Sequence, residues 1–373
     1  MNSIILHYMK NSGQNISEYK NLIIYCFSGT GNALKASEWL IEKAKEYDII
    51  TVLYSIDRFE KTEVKKYSGK TLIAFCYPTH GFNAAPLMLK FILKFPHGHA
   101  DILLLNTRGG LKFKKIYFPG LSGIAQLLPM LFLLLKGYTI AGLLPFDMPS
   151  NWISFHPGLT DSAVNDIVGR RQKQLYKFAG RLFANQRAFS YKVFLYLPLD
   201  LAISPVTAGY YFCGRYMFAK SFYASSECND CRLCEDHCPT NSIKIVNNRP
   251  FWSYTCESCM RCIGICPNKS IQTAHTFIIP VIYLISLVPF AAGVFNVLKI
   301  YIGDGIINGL ITVFLNWGFT VALIIIAYRI FSLLLKIKFI NKFFEYTSLT
   351  RYWRRYLAPG TGVKKFKVFR NQL

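Results

Sequence analysis

Eight of the eleven cysteines fall in two runs. Cys228, Cys231, Cys234 and Cys238 form the first, and Cys256, Cys259, Cys262 and Cys266 the second; each reads C-x2-C-x2-C-x3-C-P. Every cysteine recurs 28 residues later, and the likeness continues past the thiols, CPTNSIKI answering CPNKSIQT. Such a repeat implies two similar half-modules packed on each other. Three thiolates at two-residue spacing wrap one face of an iron–sulfur cubane, and Pro239 and Pro267 stop any helix from continuing. A zinc site usually brings two CxxC pairs separated by a spacer, which fits the triplets poorly. A radical-forming cluster would want C-x3-C-x2-C, and that triplet does not occur. Cys26, Cys76 and Cys213 lie outside the runs.

The runs resemble the two-cluster bacterial ferredoxins over residues 222–275. That resemblance implies two [4Fe–4S] clusters in a small α+β domain, with the fourth cysteine of each run crossing to the other cluster. Cys228, Cys231, Cys234 and Cys266 would hold one cluster, and Cys256, Cys259, Cys262 and Cys238 the other.

A second chemical signal lies near the N-terminus, in FSGTGNA. Ser28, Gly29, Thr30, Gly31, Asn32 and Ala33 follow an apolar run at 22–27 and precede a stretch with Leu34, Trp39, Leu40, Ile41 and Ala44 at roughly helical spacing. A strand, a tight turn and a helix N-terminus make an anion site. Gly31 is followed by Asn32 rather than lysine, which excludes a nucleotide-hydrolysing loop, and the G-x-G-x-x-G of a dinucleotide fold is incomplete. A plain glycine-rich turn is the competing reading.

The stretch resembles the flavodoxin phosphate loop, where hydroxyls and amides hold the phosphate of FMN without a cationic side chain. Ser28, Thr30 and Asn32 would then be the side-chain ligands. Apolar runs at 49–53, 71–77, 101–107 and 139–144 alternate with helical stretches, predicting an α/β parallel sheet. Flavodoxin-like sheets have the order 2-1-3-4-5 and bind flavin at the switch between strands one and three. By this resemblance Thr79, His80, Gly81 and Phe82 after strand three flank the isoalloxazine, as do Asn106, Thr107, Arg108, Gly109 and Gly110 after strand four. His80 and Phe82 either stack on the ring or pack on their own turn. Arg108 either stabilises reduced flavin at its N1–C2 edge or is a solvated surface arginine. The order of parts resembles the flavodoxin–ferredoxin fusion proteins over residues 20–275.

These groups must be positioned by a chain of 373 residues with a formal net charge of +23 and 52% hydrophobic residues. The expected organisation is an N-terminal extension (1–20), a flavodoxin-like FMN domain (21–190), an apolar connector (191–221), a ferredoxin-like domain (222–275), a two-helix transmembrane hairpin (276–335) and a basic cytoplasmic tail (336–373). Residues 276–298 and 306–328 carry no charge, and each is long enough to cross a ~30 Å hydrocarbon core. Residues 336–370 hold ten Lys or Arg and one acid, Glu345. Cations after the last span predict that the tail, and with it both soluble domains, faces the cytoplasm. An anionic leaflet is the expected partner of the tail, in preference to nucleic acid. The N-terminus shows no apolar core or cleavage site of a secretory leader, so the expected compartment is reducing. Two stretches depart from a soluble pattern. SGIAQLLPMLFLLLKG is apolar around nearly its whole circumference, and 193–214 is apolar but interrupted by Pro198, Asp200 and Pro205.

The sequence lacks a Ser–His–Asp set, a metal-hydrolase motif and a Walker lysine. The expected activity is electron transfer, linking a soluble low-potential donor to a membrane-associated acceptor such as a quinone or a partner enzyme. The alternatives are a dedicated carrier subunit with no substrate of its own, and a flavodoxin domain kept as scaffold after losing FMN. The oligomeric state is not legible.

Overall fold

The computed structural model describes residues 17–58, 70–286 and 306–370. The chain divides into two compact units. The first comprises Met1–Trp152, Gly158–Thr207 and Tyr356–Leu373; the second comprises Ile153–Pro157 and Ala208–Arg355.

In the first unit, β1 (Asn21–Cys26) is buried at every position, as a strand covered on both faces must be. It is followed by α1 (Asn32–Lys45), β2 (Ile50–Ser55), β3 (Thr71–His80), α2 (Pro86–Lys94), β4 (Asp101–Phe113), α3 (Leu127–Leu135), β5 (Thr139–Pro149) and α4 (Asp161–Phe183). The five strands pair in parallel in the order β2-β1-β3-β4-β5, within an eight-stranded sheet that also has three short strands. This is the 2-1-3-4-5 order of a flavodoxin-like, doubly wound sheet. Alternation along β1 serves two layers. Leu22, Ile24 and Cys26 join Trp39 and Leu40 of α1 and Leu182 of α4 in one core. Tyr25, on the other face, meets Phe91 of α2 with ring centroids 5.0 Å apart.

Two of the expected loops are partly strand. β3 runs on through His80, and β4 runs through Asn106, Thr107, Arg108, Gly109 and Gly110 to Phe113. The parallel ladder with β5 continues from Asn106↔Pro145 to Gly110↔Pro149, so backbone pairing overrides a polar, glycine-containing stretch. On α3, Leu131, Leu134 and Leu135 are exposed, and the buried residues are Pro129 and Leu133. The expected connector is divided: residues 191–207 belong to the first unit and 208–221 to the second.

The second unit repeats itself. α5 (Leu233–Asp236) and β7 (Ile243–Val246) recur 28 residues later as α6 (Arg261–Ile265) and β9 (Ile271–Thr273). β9 pairs antiparallel with β6 (Phe222–Ala224), and β7 pairs with β8 (Arg249–Trp252). α7 (His275–Ser286) opens the first expected span, whose remainder lies outside the described residues, as does the loop 299–305. α8 (Ile306–Leu334) contains Trp317–Leu334, the one segment among the described residues long and apolar enough to cross a membrane. Phe277 of α7 stacks on Phe331 of α8 at 4.2 Å.

The basic tail is not one surface-lying segment, as the charge alone implied. α9 (Lys338–Thr347) stays in the second unit, where Glu345 pairs with Arg351 and accepts from Ser226 at 2.7 Å. From Tyr356 onward the chain belongs to the first unit and ends in α10 (Val363–Arg370). Tyr356, Ala358 and Phe366 are buried there; these apolar anchors, absent from the charge count, hold the segment down.

Candidate cofactor sites

The two cysteine runs share an unusual backbone. Asp230 and Ser258 have φ of 53° and 50°, Arg232 and Met260 58° and 62°, and Asn241 and Lys269 52° and 51°. None is glycine, and left-handed residues with a side chain cost of order 1 kcal/mol or more each. Three such pairs at 28-residue spacing mean that the same demand bends each loop around its own thiols. Cys228, Cys231, Cys234 and Cys266 line one cavity of about 20 Å3, with Pro267 and Ile271 beside them. The fourth cysteine of the second run has therefore crossed to the first. Cys238 in turn lies within electrostatic reach of Cys256, Cys259 and Cys262. Among the described residues, no three His, Cys, Asp or Glu converge tightly enough to hold a single metal ion.

The sulfurs are already addressed by donors. Ser242 N donates to Cys238 Sγ at 3.2 Å and Ser258 N to Cys256 Sγ at 3.5 Å; Cys266 Sγ lies 3.2 Å from Ser270 Oγ. Burial, then the Cys228 thiol, pushes the Cys234 thiol up to about 12. Burial likewise pushes Cys259 up to about 12, against the pull of Arg261. Lys220 is 1% exposed. Its ammonium donates to Trp252 O and sits over the rings of Tyr254 at 4.0 Å and Tyr328 at 4.4 Å. Burial pushes it down to about 8, and Cys256 pulls it back up. Sequence reading missed this buried cation, because an isolated lysine before a cysteine run carries no pattern.

In the first unit, the loops after β1 and β5 meet the end of β3 and the Thr107–Gly109 stretch of β4. Ser28, Gly29, Thr30, Asn32, Ala33, Thr79, Thr107, Arg108 and Gly109 line one cavity of about 30 Å3, with Asn151. Gly31 has φ 99°, and a Cβ there would stand 2.6 Å from Thr361 Oγ1, so glycine is required on both counts. No side chain caps the start of α1, which leaves its first amides for an anion.

The side chains around this loop are largely engaged. Asn32 Nδ2 donates to Pro149 O at 2.9 Å, and Asn32 Oδ1 accepts from Tyr356 OH at 2.7 Å. Thr30 Oγ1 accepts from Asn151 Nδ2 at 2.6 Å, and its carbonyl accepts from Ala358 N at 2.8 Å. Ser28 and Thr30 hydroxyls with an uncapped helix start suit a phosphate. The cavity they line is about 30 Å3, so it would take the phosphate end of a flavin, with the isoalloxazine outside it. Tyr356→Phe would leave a buried Asn32 oxygen unsatisfied. The expected loss is about 1–3 kcal/mol, read as a lower denaturation midpoint with an unchanged slope.

His80, Gly81, Phe82, Asn106 and Gly110 do not line that cavity. His80 meets Phe27 edge-on at 6.0 Å, and burial pushes its imidazole down to about 4, so it is neutral near pH 7. Gly81 and Phe82, with φ of 54° and 63°, form a tight turn whose Phe82 carbonyl accepts from Ile124 N at 2.9 Å. Asn106 is fully buried and donates to Thr79 Oγ1 at 2.8 Å and Ser122 Oγ at 3.2 Å. Gly110 packs on Asp147, where a Cβ would come within 3.2 Å.

Arg108 is not the solvated surface arginine of one expected setting, and it lines the cavity. It is 3% exposed, and its Nε donates to Asp147 Oδ1 at 2.6 Å. Asp147 also accepts from Lys192 Nζ at 2.8 Å and Gly120 N at 3.1 Å, and pairs with Arg171 at 3.5 Å. Burial pushes the Asp147 carboxyl up, but Arg108 and Lys192 outweigh it and hold it below its ordinary value. The signal was register: Arg108 and Asp147 are ladder partners on β4 and β5.

No family model matches the chain, and no curated protein does. Among solved structures it is similar to a flavodoxin from the domain Archaea, at 14% identity over 43% of this chain and 97% of that one, with a TM-score of 0.26. It is also similar to oxidised Flavodoxin 1 from Bacillus cereus, at 14% identity over 42% and 96%, with a TM-score of 0.27. The strand order itself carries the conclusion: the N-terminal unit is a parallel α/β domain with flavodoxin-like topology.

Proposed function

We propose that this chain is a membrane-anchored electron-transfer protein carrying two [4Fe–4S] clusters and FMN. The observation that carries the reading is the cavity shared by Cys228, Cys231, Cys234 and Cys266, with the paired left-handed residues around both runs. A bound flavin takes up two electrons and releases them singly, and each cluster passes one at a time. Ser28, Thr30 and the first amides of α1 hold the flavin phosphate; Ser242, Ser258 and Ser270 orient the cluster thiolates. α8 is the anchor: only 22% of its Trp317–Leu334 segment is buried, unlike the core helix of a soluble protein. The soluble parts face the cytoplasm, with a low-potential protein donor and an acceptor in or on the membrane.

A second reading, a flavin-free scaffold serving a pure cluster carrier, is favoured by the engagement of Asn32. An absorbance spectrum and stepwise redox titration of anaerobically purified protein decide between them. Flavin at about one per chain with two separate one-electron cluster steps supports the full proposal. Cluster steps without flavin leave the carrier; a featureless spectrum removes both. The same titration tests Lys220. A buried cation favours the extra electron on the nearby cluster, so Lys220→Met should lower the potential of the cluster held by Cys256 and leave the other in place.

A further inference from the structure

The second unit contains a cavity of about 680 Å3 between the last turns of α8 and the strands β6, β7 and β8. That volume lies in the range of ligand sites. Its lining includes four cations, Lys244, Arg249, Arg329 and Lys336, and no Asp or Glu. Arg249 is held in place by Nη1 donating to Ala224 O at 2.8 Å and Ser225 O at 3.0 Å. Arg329 lies over the ring of Phe251 at 5.1 Å, and Tyr328 closes the inner wall. The pocket is thus cationic with an aromatic floor. Leu333 of α8, in its lining, is 60% exposed, and Ile326 and Ile330, within two turns on the same helix, are 56% and 53% exposed.

Four positive charges ask for an anion, and the adjoining apolar strip asks for hydrocarbon. One ligand class supplies both. We propose that this cavity binds the phosphate headgroup of an anionic membrane lipid, whose acyl chains run along α8. The inference rests on reading α8 as the membrane anchor. Basic residues attract anionic headgroups, and basic pockets at the cytoplasmic end of spans are suited to such heads. Arg249 and Arg329 can each present a fork to phosphate oxygens, while Lys244 and Lys336, both exposed, neutralise from the rim.

The test uses the full chain in a zwitterionic detergent, offered mixed micelles of phosphatidylcholine and phosphatidylglycerol, then freed of unbound lipid. Wild type should retain about one phosphatidylglycerol per chain and little phosphatidylcholine. The triple variant Lys244→Gln, Arg329→Gln, Lys336→Gln should retain at least about tenfold less, with its absorbance unchanged. The single variant Lys336→Glu, at an exposed rim position, should lower retention in the same direction should the triple variant not fold. Flotation with phosphatidylcholine vesicles separates the two claims. Protein that does not float refutes the anchor and the lipid site with it. Protein that floats but retains equal phosphatidylglycerol in wild type and variants overturns the lipid site alone. Inorganic phosphate that binds equally well without lipid, and displaces it at matched concentration, also overturns it in favour of a free-phosphate site.

Discussion

Replacing Cys266 by serine should remove the same cluster as replacing Cys228, although Cys266 sits in the other run. Both residues line one cavity, along with Cys231 and Cys234. Each single variant should fall from about eight iron atoms per chain to about four. The double variant Cys228→Ser, Cys266→Ser should be no worse than either single one, because both changes strike one cluster. Pairing Cys228→Ser with Cys238→Ser should lose both clusters, although those two cysteines share a run. Electron paramagnetic resonance of the reduced protein provides the readout, and the surviving cluster's signal shows that the domain is still folded. If Cys266→Ser instead removed the cluster lost in Cys256→Ser, each run would hold its own cluster and the crossed assignment would be wrong.

The second large effect lies in the first unit. Asp147 is a single buried carboxylate facing Arg108, Lys192 and Arg171. Asp147→Asn would leave those cations without their counter-charge and should destabilise the unit by about 3–5 kcal/mol. Arg108→Met should cost less, because Lys192 and Arg171 remain to neutralise Asp147. Hydrogen exchange of the β4 and β5 amides in the full chain reads this locally. The pH dependence follows from the sign. The folded carboxyl is held below its ordinary value, so its contribution is complete above the unfolded value of about 3.9 and is lost as pH falls through the lower folded value. Wild type should therefore lose protection below about pH 4, and Asp147→Asn should lack that component.

The comparison of these two sites explains what could be read from sequence. The thiols were legible because each run holds three ligands within seven residues, Cys228 to Cys234 and Cys256 to Cys262, so local spacing encodes the site. The FSGTGNA loop was legible for the same reason: strand, turn and helix start are contiguous. α8 announced itself by composition. What stayed hidden depended on partners far apart in the chain. Asn32 is held by Tyr356, 324 residues away, and nothing in LAPGTG marks it as a segment that returns to the loop. Arg108 looked solvated because its carboxylate belongs to the next strand of the sheet, visible only once β4 and β5 are set in register. The glycines of NTRGG argued for a loop, yet the neighbouring strand extends the ladder through them.

The whole proposal stands on eight cysteines holding two iron–sulfur cubanes. Iron and acid-labile sulfide analysis of the full chain, purified without oxygen in detergent, tests it most directly. The expected result is about eight iron and about eight sulfide per chain. Zinc in their place, or protein free of iron, would contradict it.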